Sequence, residues 1–177
     1  ETVMASASVV RIVVPDDEPV ALRGTEVEER LGSIGELVIH DSLAANPSEL
    51  AARLKDANVA INIRSSSPFT VEVLSACRHL QHIAVLGVGV DNVDVEACLE
   101  KGVLVTNTPG HSTDAVAEHA IALALAVARR LTENDRAVRE GEWARHPIIQ
   151  LSGKILGVIG AGPIGRRMAV LGQALGM

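Results

Sequence analysis

The stretch Lys154-Ile155-Leu156-Gly157-Val158-Ile159-Gly160-Ala161-Gly162-Pro163-Ile164-Gly165 decides how this chain is read. Residues 154–159 are apolar after the lysine and predict a strand, and residues 166–175 predict a helix. A GxGxxG spacing is weak evidence by itself and gains meaning only between a strand and a helix, which is where it stands here. Gly160 is expected to allow the tight turn, Gly162 to let the backbone come close to a pyrophosphate, and Gly165 to let the helix pack on the strand. The helix N-terminus adds N–H donors and the positive end of its dipole. Pro163 suits the first helical position but has no N–H, so Ile164 is expected to supply the backbone donor. The alternative is a turn that merely joins strand to helix.

Working back from that turn, strands and helices alternate. Residues 9–14 form a β-branched run that ends at Pro15-Asp16-Asp17, and a helix is expected over 20–31, closed by Gly32. Residues 37–39 make a second apolar run. Asn46-Pro47-Ser48-Glu49 then supplies an N-cap, a first-turn proline and a capping glutamate for a helix over 50–56. A third strand is expected over 59–63, a helix over 71–77 capped by Thr70, and a fourth strand over 82–86. Asp94 caps a helix over 95–101 that Gly102 ends, and 103–105 is the fifth strand. Near-continuous apolar strands that alternate with helices indicate a parallel sheet covered on both faces.

The expected fold is therefore α/β: a flavodoxin-like parallel-sheet domain over 9–106, preceded by a frayed start at 1–8. Residues 107–177 are expected to hold a hinge, a long helix and the first strand-turn-helix of a Rossmann nucleotide-binding domain, incomplete here. Thr106-Asn107-Thr108-Pro109-Gly110 breaks the alternation, and a long helix is expected from Ser112 to at least Leu131. Val116, Ala120, Leu123, Val127 and Leu131 share one face of it, while Ile121 and Leu125 lie on others. That is more apolar surface than one packing face explains. A homodimer through helix 112–131 is the expectation, with burial inside one chain as the alternative. Residues 141–152, with Trp143 and Pro147, are a connector.

Composition removes several function classes. Apolar residues make up 47% of the 177, enough for a packed core. A net charge of -6, with acidic and basic residues interspersed, leaves no basic stripe to follow a phosphate backbone. One Trp, one Phe and no Tyr leave no stacking platform for single strands, so no nucleic-acid partner is expected. The longest apolar run, 120–128, is far shorter than the roughly 20 residues that cross a bilayer, so no membrane partner is expected either. Cys77 and Cys98 have no CxxC spacing or histidine ladder, so buried thiols are expected and no metal site. The first eight residues lack a basic and an apolar region, which makes the cytoplasm the expected compartment.

Three further motifs narrow the reading: Gly87-Val88-Gly89-Val90-Asp91-Asn92-Val93-Asp94, Val105-Thr106-Asn107-Thr108-Pro109-Gly110, and Val116-Ala117-Glu118-His119-Ala120. With the glycine turn, they resemble the D-isomer-specific 2-hydroxyacid dehydrogenases in order and spacing, from about residue 59 to the end. Phosphoglycerate, glyoxylate, lactate, phosphite and formate dehydrogenases share that family, so the resemblance leaves the particular acid open. It implies a substrate domain hinged to a nucleotide-binding domain, NAD as cofactor with NADP not excluded, and a small 2-hydroxy or 2-keto acid as substrate. It places Arg64, Ser65, Val88 and Gly89 on the substrate side of the cleft, where backbone N–H groups hold the carboxylate. For Arg64, a solvated loop charge is an equal alternative. Val88 and Thr113, with Gly160, Gly162, Pro163, Ile164 and Gly165, are implied on the cofactor side, although the Thr113 hydroxyl is equally suited to capping a helix. Glu118 and His119 are adjacent on a helix, point about 100° apart and are read as structural.

The resemblance also implies catalytic groups that these residues do not supply. The family uses an arginine, a histidine and an acid downstream of the glycine turn, and none of His40, His79, His82, His111, His119 or His146 stands in the matching position. The acidic residue that grips the adenosine ribose normally follows the turn by about 20 residues. Only 12 residues follow Gly165 (166 to 177). The expectation is that no catalytic residue lies in these 177 positions, that the parent protein is the oxidoreductase, and that this chain alone is inactive. The alternative is a non-catalytic dinucleotide-sensing or dimerising module of the corepressor type, which the fold alone does not exclude.

Overall fold

The computed structural model describes residues 9–177, so the start expected at 1–8 lies outside the described residues. The chain divides into two compact units, the first ending at Pro109 and the second running from Gly110 to Met177.

In the first unit the elements are β1 Arg11–Val14, α1 Glu26–Ile34, β2 Glu36–Ile39, α2 Pro47–Leu54, β3 Val59–Asn62, α3 Val71–Ala76, β4 His82–Val85, α4 Val95–Glu100 and β5 Leu104–Thr106. All the strand pairings are parallel, in the order β2-β1-β3-β4-β5, which is the flavodoxin-like order. Alternate residues of β1 serve opposite sides of the sheet. Val13 joins the larger core with Leu50 and Leu54 of α2, Val73 and Leu74 of α3, and Cys98 of α4. Val14 joins Leu22 and Ile63 in a smaller core, against which Leu31 of α1 packs. Phe69 is fully buried in the larger core. Side chains of this size contribute about 1.5–3 kcal/mol each when buried.

The predicted caps form. Asn46 Oδ1 accepts from Glu49 N–H at 2.9 Å, Thr70 Oγ1 from Val73 N–H at 3.4 Å and Asp94 Oδ1 from Ala97 N–H at 2.9 Å. The first helix departs from expectation by starting at Glu26 instead of residue 20. The Asp17 carboxylate takes the N–H groups of Ala21, Leu22 and Arg23, holding that segment as a turn and delaying the helix.

The second unit contains α5 Thr113–Ala128, α6 Leu131–Arg139 and α7 Pro163–Ala174. The single helix expected over 112–131 is interrupted. Arg130 takes a left-handed backbone, with φ +50°, and a new helix starts at Leu131. Asn134 Nδ2 donates to the Arg129 carbonyl at 3.1 Å, satisfying a backbone group at the break, and Arg130 pairs with Glu133 at 2.9 Å. Residues 142–150 have neither helix nor strand.

Residues 154–159, expected as a strand, are not one: no segment among the described residues pairs with them, and a strand is defined by its ladder. Ile155 and Ile159 are almost wholly exposed. No helix among the described residues is long and apolar enough to cross a membrane.

Candidate functional site

In a parallel sheet of this order, ligands bind beyond the carboxyl ends of the strands, near the point where the strand order reverses. That point lies between β1 and β3, and the loops that follow β1, β3 and β4 are fastened to one another by side chains. Asp16 is buried. Its Oδ1 accepts from Glu18 N–H at 3.0 Å, and its Oδ2 accepts from the Ser66 hydroxyl at 2.7 Å, across 50 positions of sequence. Asp17 is buried beside it. Burial pushes the Asp17 carboxyl up, but the N–H donors of Arg23, Ala21 and Leu22, with the Arg23 charge, outweigh that and leave its pKa below the ordinary carboxylate value.

The four residues expected on the substrate side fall on loops after adjacent strands. Arg64 and Ser65 follow β3, Val88 and Gly89 follow β4, and those two strands are paired in register. Ser65, Val88 and Gly89 are exposed, and Arg64 is half-buried. Arg64 is not simply a solvated charge: Nε donates to the Glu18 carbonyl at 3.1 Å and Nη2 to the Pro19 carbonyl at 2.6 Å. That commits two of its five N–H donors to bracing the loop after β1.

Two asparagines complete the fastening. Asn92 Nδ2 donates to the carbonyls of Ser67 at 2.8 Å and Arg64 at 3.3 Å. Asn107 Nδ2 donates to the Val88 carbonyl at 2.7 Å, while Gly87 N–H donates to Thr108 Oγ1 at 2.8 Å. Sequence reading missed Asp16, Asp17, Asn92 and Asn107 as site builders. The distant partners of Asp16, Asn92 and Asn107 lie in other loops, whereas Asp17 acts within its own, and only the run Asp16-Asp17 after a strand hints at a side-chain-capped turn.

In the second unit, Thr113 is the first residue of α5, and its N–H donates to the Gly110 carbonyl at 3.2 Å. The ion pair of Arg167 Nε with Asp114 Oδ1, at 2.6 Å but not aligned as a hydrogen bond, ties α7 to α5. The glycine turn itself has three distinct requirements. Gly160 has φ +96°, a conformation that side-chain-bearing residues rarely adopt. A Cβ on Gly165 would stand 1.9 Å from the Gly160 carbonyl oxygen, so the helix approaches the turn as closely as a glycine allows. One on Gly172, two turns further along α7, would stand 2.6 Å from Leu156, which extends the close contact along the helix. At Gly162, the N-cap of α7, an added Cβ would meet nothing within 4 Å.

That open space faces the start of a 12-residue helix whose first turn has no intrahelical acceptors for its N–H groups. Pro163 occupies the first position and lacks a donor, leaving Ile164 and Gly165 as the backbone donors of the turn. The residues present therefore fit a pyrophosphate: room at Gly162, donors beside it and a positive dipole end behind it. Among the described residues, no group of three or more His, Cys, Asp or Glu is placed to hold a metal ion.

Together these features define a two-unit α/β protein with a glycine turn at a helix start in one unit and a braced set of exposed loops in the other. The chain belongs to the D-isomer specific 2-hydroxyacid dehydrogenase family, whose catalytic-domain pattern matches residues 16–164. It is 46% identical over 120 residues to the D-3-phosphoglycerate dehydrogenase of Archaeoglobus fulgidus, covering 67% of this chain and 23% of that protein. It is 38% identical over 162 residues to the glyoxylate reductase of Aeropyrum pernix, covering 86% of this chain and 48% of the relative. A crystal structure of a Thermus thermophilus protein superposes with a TM-score of 0.82 at 35% identity, over 95% of this chain and 54% of the other. The chain thus spans about a quarter to a half of the proteins it matches.

Proposed function

We propose that the protein interconverts a small 2-hydroxy acid and the corresponding 2-keto acid, with NAD or NADP as hydride carrier. The observation that carries this reading is the glycine turn, in which Gly162 combines an ordinary φ with open space and is followed by the donors a pyrophosphate needs. The backbone N–H groups of Ser65, Val88 and Gly89 hold the substrate carboxylate, and Arg64 braces the loop from beneath through Glu18 and Pro19. Thr113 and Val88 contribute on the cofactor side, with Gly160, Gly162, Pro163, Ile164 and Gly165 forming the cradle. When bound, the dinucleotide supplies or accepts the hydride. No residue of the 177 is assigned the proton transfer, so the chain by itself is expected not to turn over 2-keto acids. Expression from the full natural reading frame, followed by calorimetric titration with NADH and NADPH, tests the cofactor assignment. Saturable binding of either supports it, and binding of neither refutes it.

We also propose a homodimer through α5. Apolar side chains of the face predicted for it are exposed: Val116, Leu123 and Val127 are 43%, 54% and 78% exposed, whereas Ala117 and Ala128 are buried. Exposed apolar side chains repeated along one helix face mark an association surface. Light scattering should report a dimer, and Val127→Glu should yield a folded monomer. A dimer unaffected by that charge would place the interface elsewhere.

A further inference from the structure

We infer that Asn92 is a positioning residue: its side-chain amide holds the loop after β3 against the loop after β4, and so sets the spacing of the N–H groups that meet the substrate carboxylate. The inference rests on the substrate reading given above. The two loops leave neighbouring parallel strands and have no ladder of their own beyond one bridge, between Phe69 and Val93. Asn92 stands at that bridge and joins the loops three times. Its Nδ2 donates to the Ser67 and Arg64 carbonyls at 2.8 and 3.3 Å, and its own carbonyl accepts from Phe69 N–H at 2.7 Å. Asp94 N–H completes the junction by donating to the Phe69 carbonyl at 3.0 Å.

The chemistry of this contact selects an amide. Two carbonyl oxygens face the Nδ2 group, and a primary amide nitrogen carries two N–H donors, one for each. A carboxylate of the same shape has no donor and would set negative oxygen against both carbonyls. Arg64 and Ser65 lie on the segment that Asn92 grips, and Val88 and Gly89 lie on the segment that carries Asn92 itself. The junction thus ties the segment that carries Ser65 to the segment that carries Val88 and Gly89. Phe69, fully buried, anchors it from below, so the loops are joined at their base while Ser65, Val88 and Gly89 stay exposed at their tips.

The test compares the unsubstituted 177-residue chain with Asn92→Asp and Asn92→Ala, using glyoxylate as the probe. Two readouts are taken: amide hydrogen exchange of residues 64–69, and glyoxylate titration followed by the amide resonances of Ser65, Val88 and Gly89. Both variants should keep the exchange protection of β1, β3 and β4, showing that the sheet is folded. Exchange at 64–69 should rise, and glyoxylate affinity should fall about tenfold, the effect of losing two modest hydrogen bonds from a pre-set site. Asn92→Asp should be the more affected. Unchanged exchange at 64–69 in both variants overturns the clamp, whatever the probe does. Faster exchange with unchanged glyoxylate affinity overturns the positioning role. No resonance shifts in the unsubstituted chain overturn the substrate reading itself, and are distinguished from failure of the clamp by the exchange arm.

Discussion

Two glycines three positions apart, Gly162 and Gly165, should respond to the same substitution in opposite ways. Alanine at Gly165 places a methyl carbon 1.9 Å from the Gly160 carbonyl oxygen and 3.2 Å from a Val158 methyl. The first contact is with backbone, so relief requires α7 to move away from the turn instead of a side chain to rotate. Overpacking of a close contact costs roughly 1–3 kcal/mol, and a backbone clash of this depth belongs at or above the top of that range. Alanine at Gly162 meets nothing within 4 Å, and the φ of -68° there is ordinary for any residue. Only the modest N-cap preference for glycine over alanine is lost, under about 1 kcal/mol. The same methyl would, however, fill the space assigned to the pyrophosphate. Equilibrium urea unfolding and calorimetric dinucleotide titration of both variants, expressed from the full natural reading frame, separate the two effects. Gly165→Ala should be strongly destabilised. Gly162→Ala should unfold like the unsubstituted protein yet bind dinucleotide at least about tenfold more weakly, as expected when a ligand's volume is occupied. A stable Gly165→Ala variant would refute the close-packing argument, and undiminished dinucleotide affinity in Gly162→Ala would refute the cradle.

Two further outcomes follow from the first unit. Asp17→Ala removes the acceptor for three backbone N–H groups and should cost about 2–4 kcal/mol by urea unfolding at neutral pH. Because the folded-state pKa of Asp17 is depressed, its contribution is present above the unfolded carboxylate value and is lost as pH falls through the folded value; the gap between native and variant should therefore close in acid. A gap that is independent of pH would contradict the assigned ionisation. Burial, only partly offset by Lys101, pushes the Cys77 thiol up to about 11, and Cys98 is raised by burial and by Asp94. Both thiols should resist alkylation at mildly alkaline pH in the native protein and react fully in urea, and prompt native labelling would contradict their burial.

What is legible in the sequence is local. The caps at Asn46, Thr70 and Asp94 act within three residues, and residue type and spacing suffice to find each. Continuous apolar strands likewise disclose a parallel sheet covered on both faces. The errors lie where a distant or unusual partner decides. Val20 begins a helix-compatible run, but Asp17 captures the next N–H groups and the helix waits until Glu26. Arg130 interrupts the long helix with no Gly or Pro to announce it. Residues 154–159 have the composition of a strand, yet composition does not provide a neighbour. Site residues divide in the same way: the glycine turn and the runs at 87–94 and 105–110 are visible as motifs, whereas the bonds that Asp16, Asn92 and Asn107 make across 19 to 50 positions are not, because their partners lie in other loops.

The most direct test of the proposed dehydrogenase is its stereochemistry. Protein expressed from the full natural reading frame is given NAD or NADP and, in separate reactions, the D and L enantiomers of lactate, glycerate and 3-phosphoglycerate, and formation of reduced nicotinamide is followed by absorbance. Oxidation of at least one D acid, with its L enantiomer inert, is the predicted result. Oxidation of L acids in preference, or of no acid by a protein that binds the dinucleotide, would contradict it.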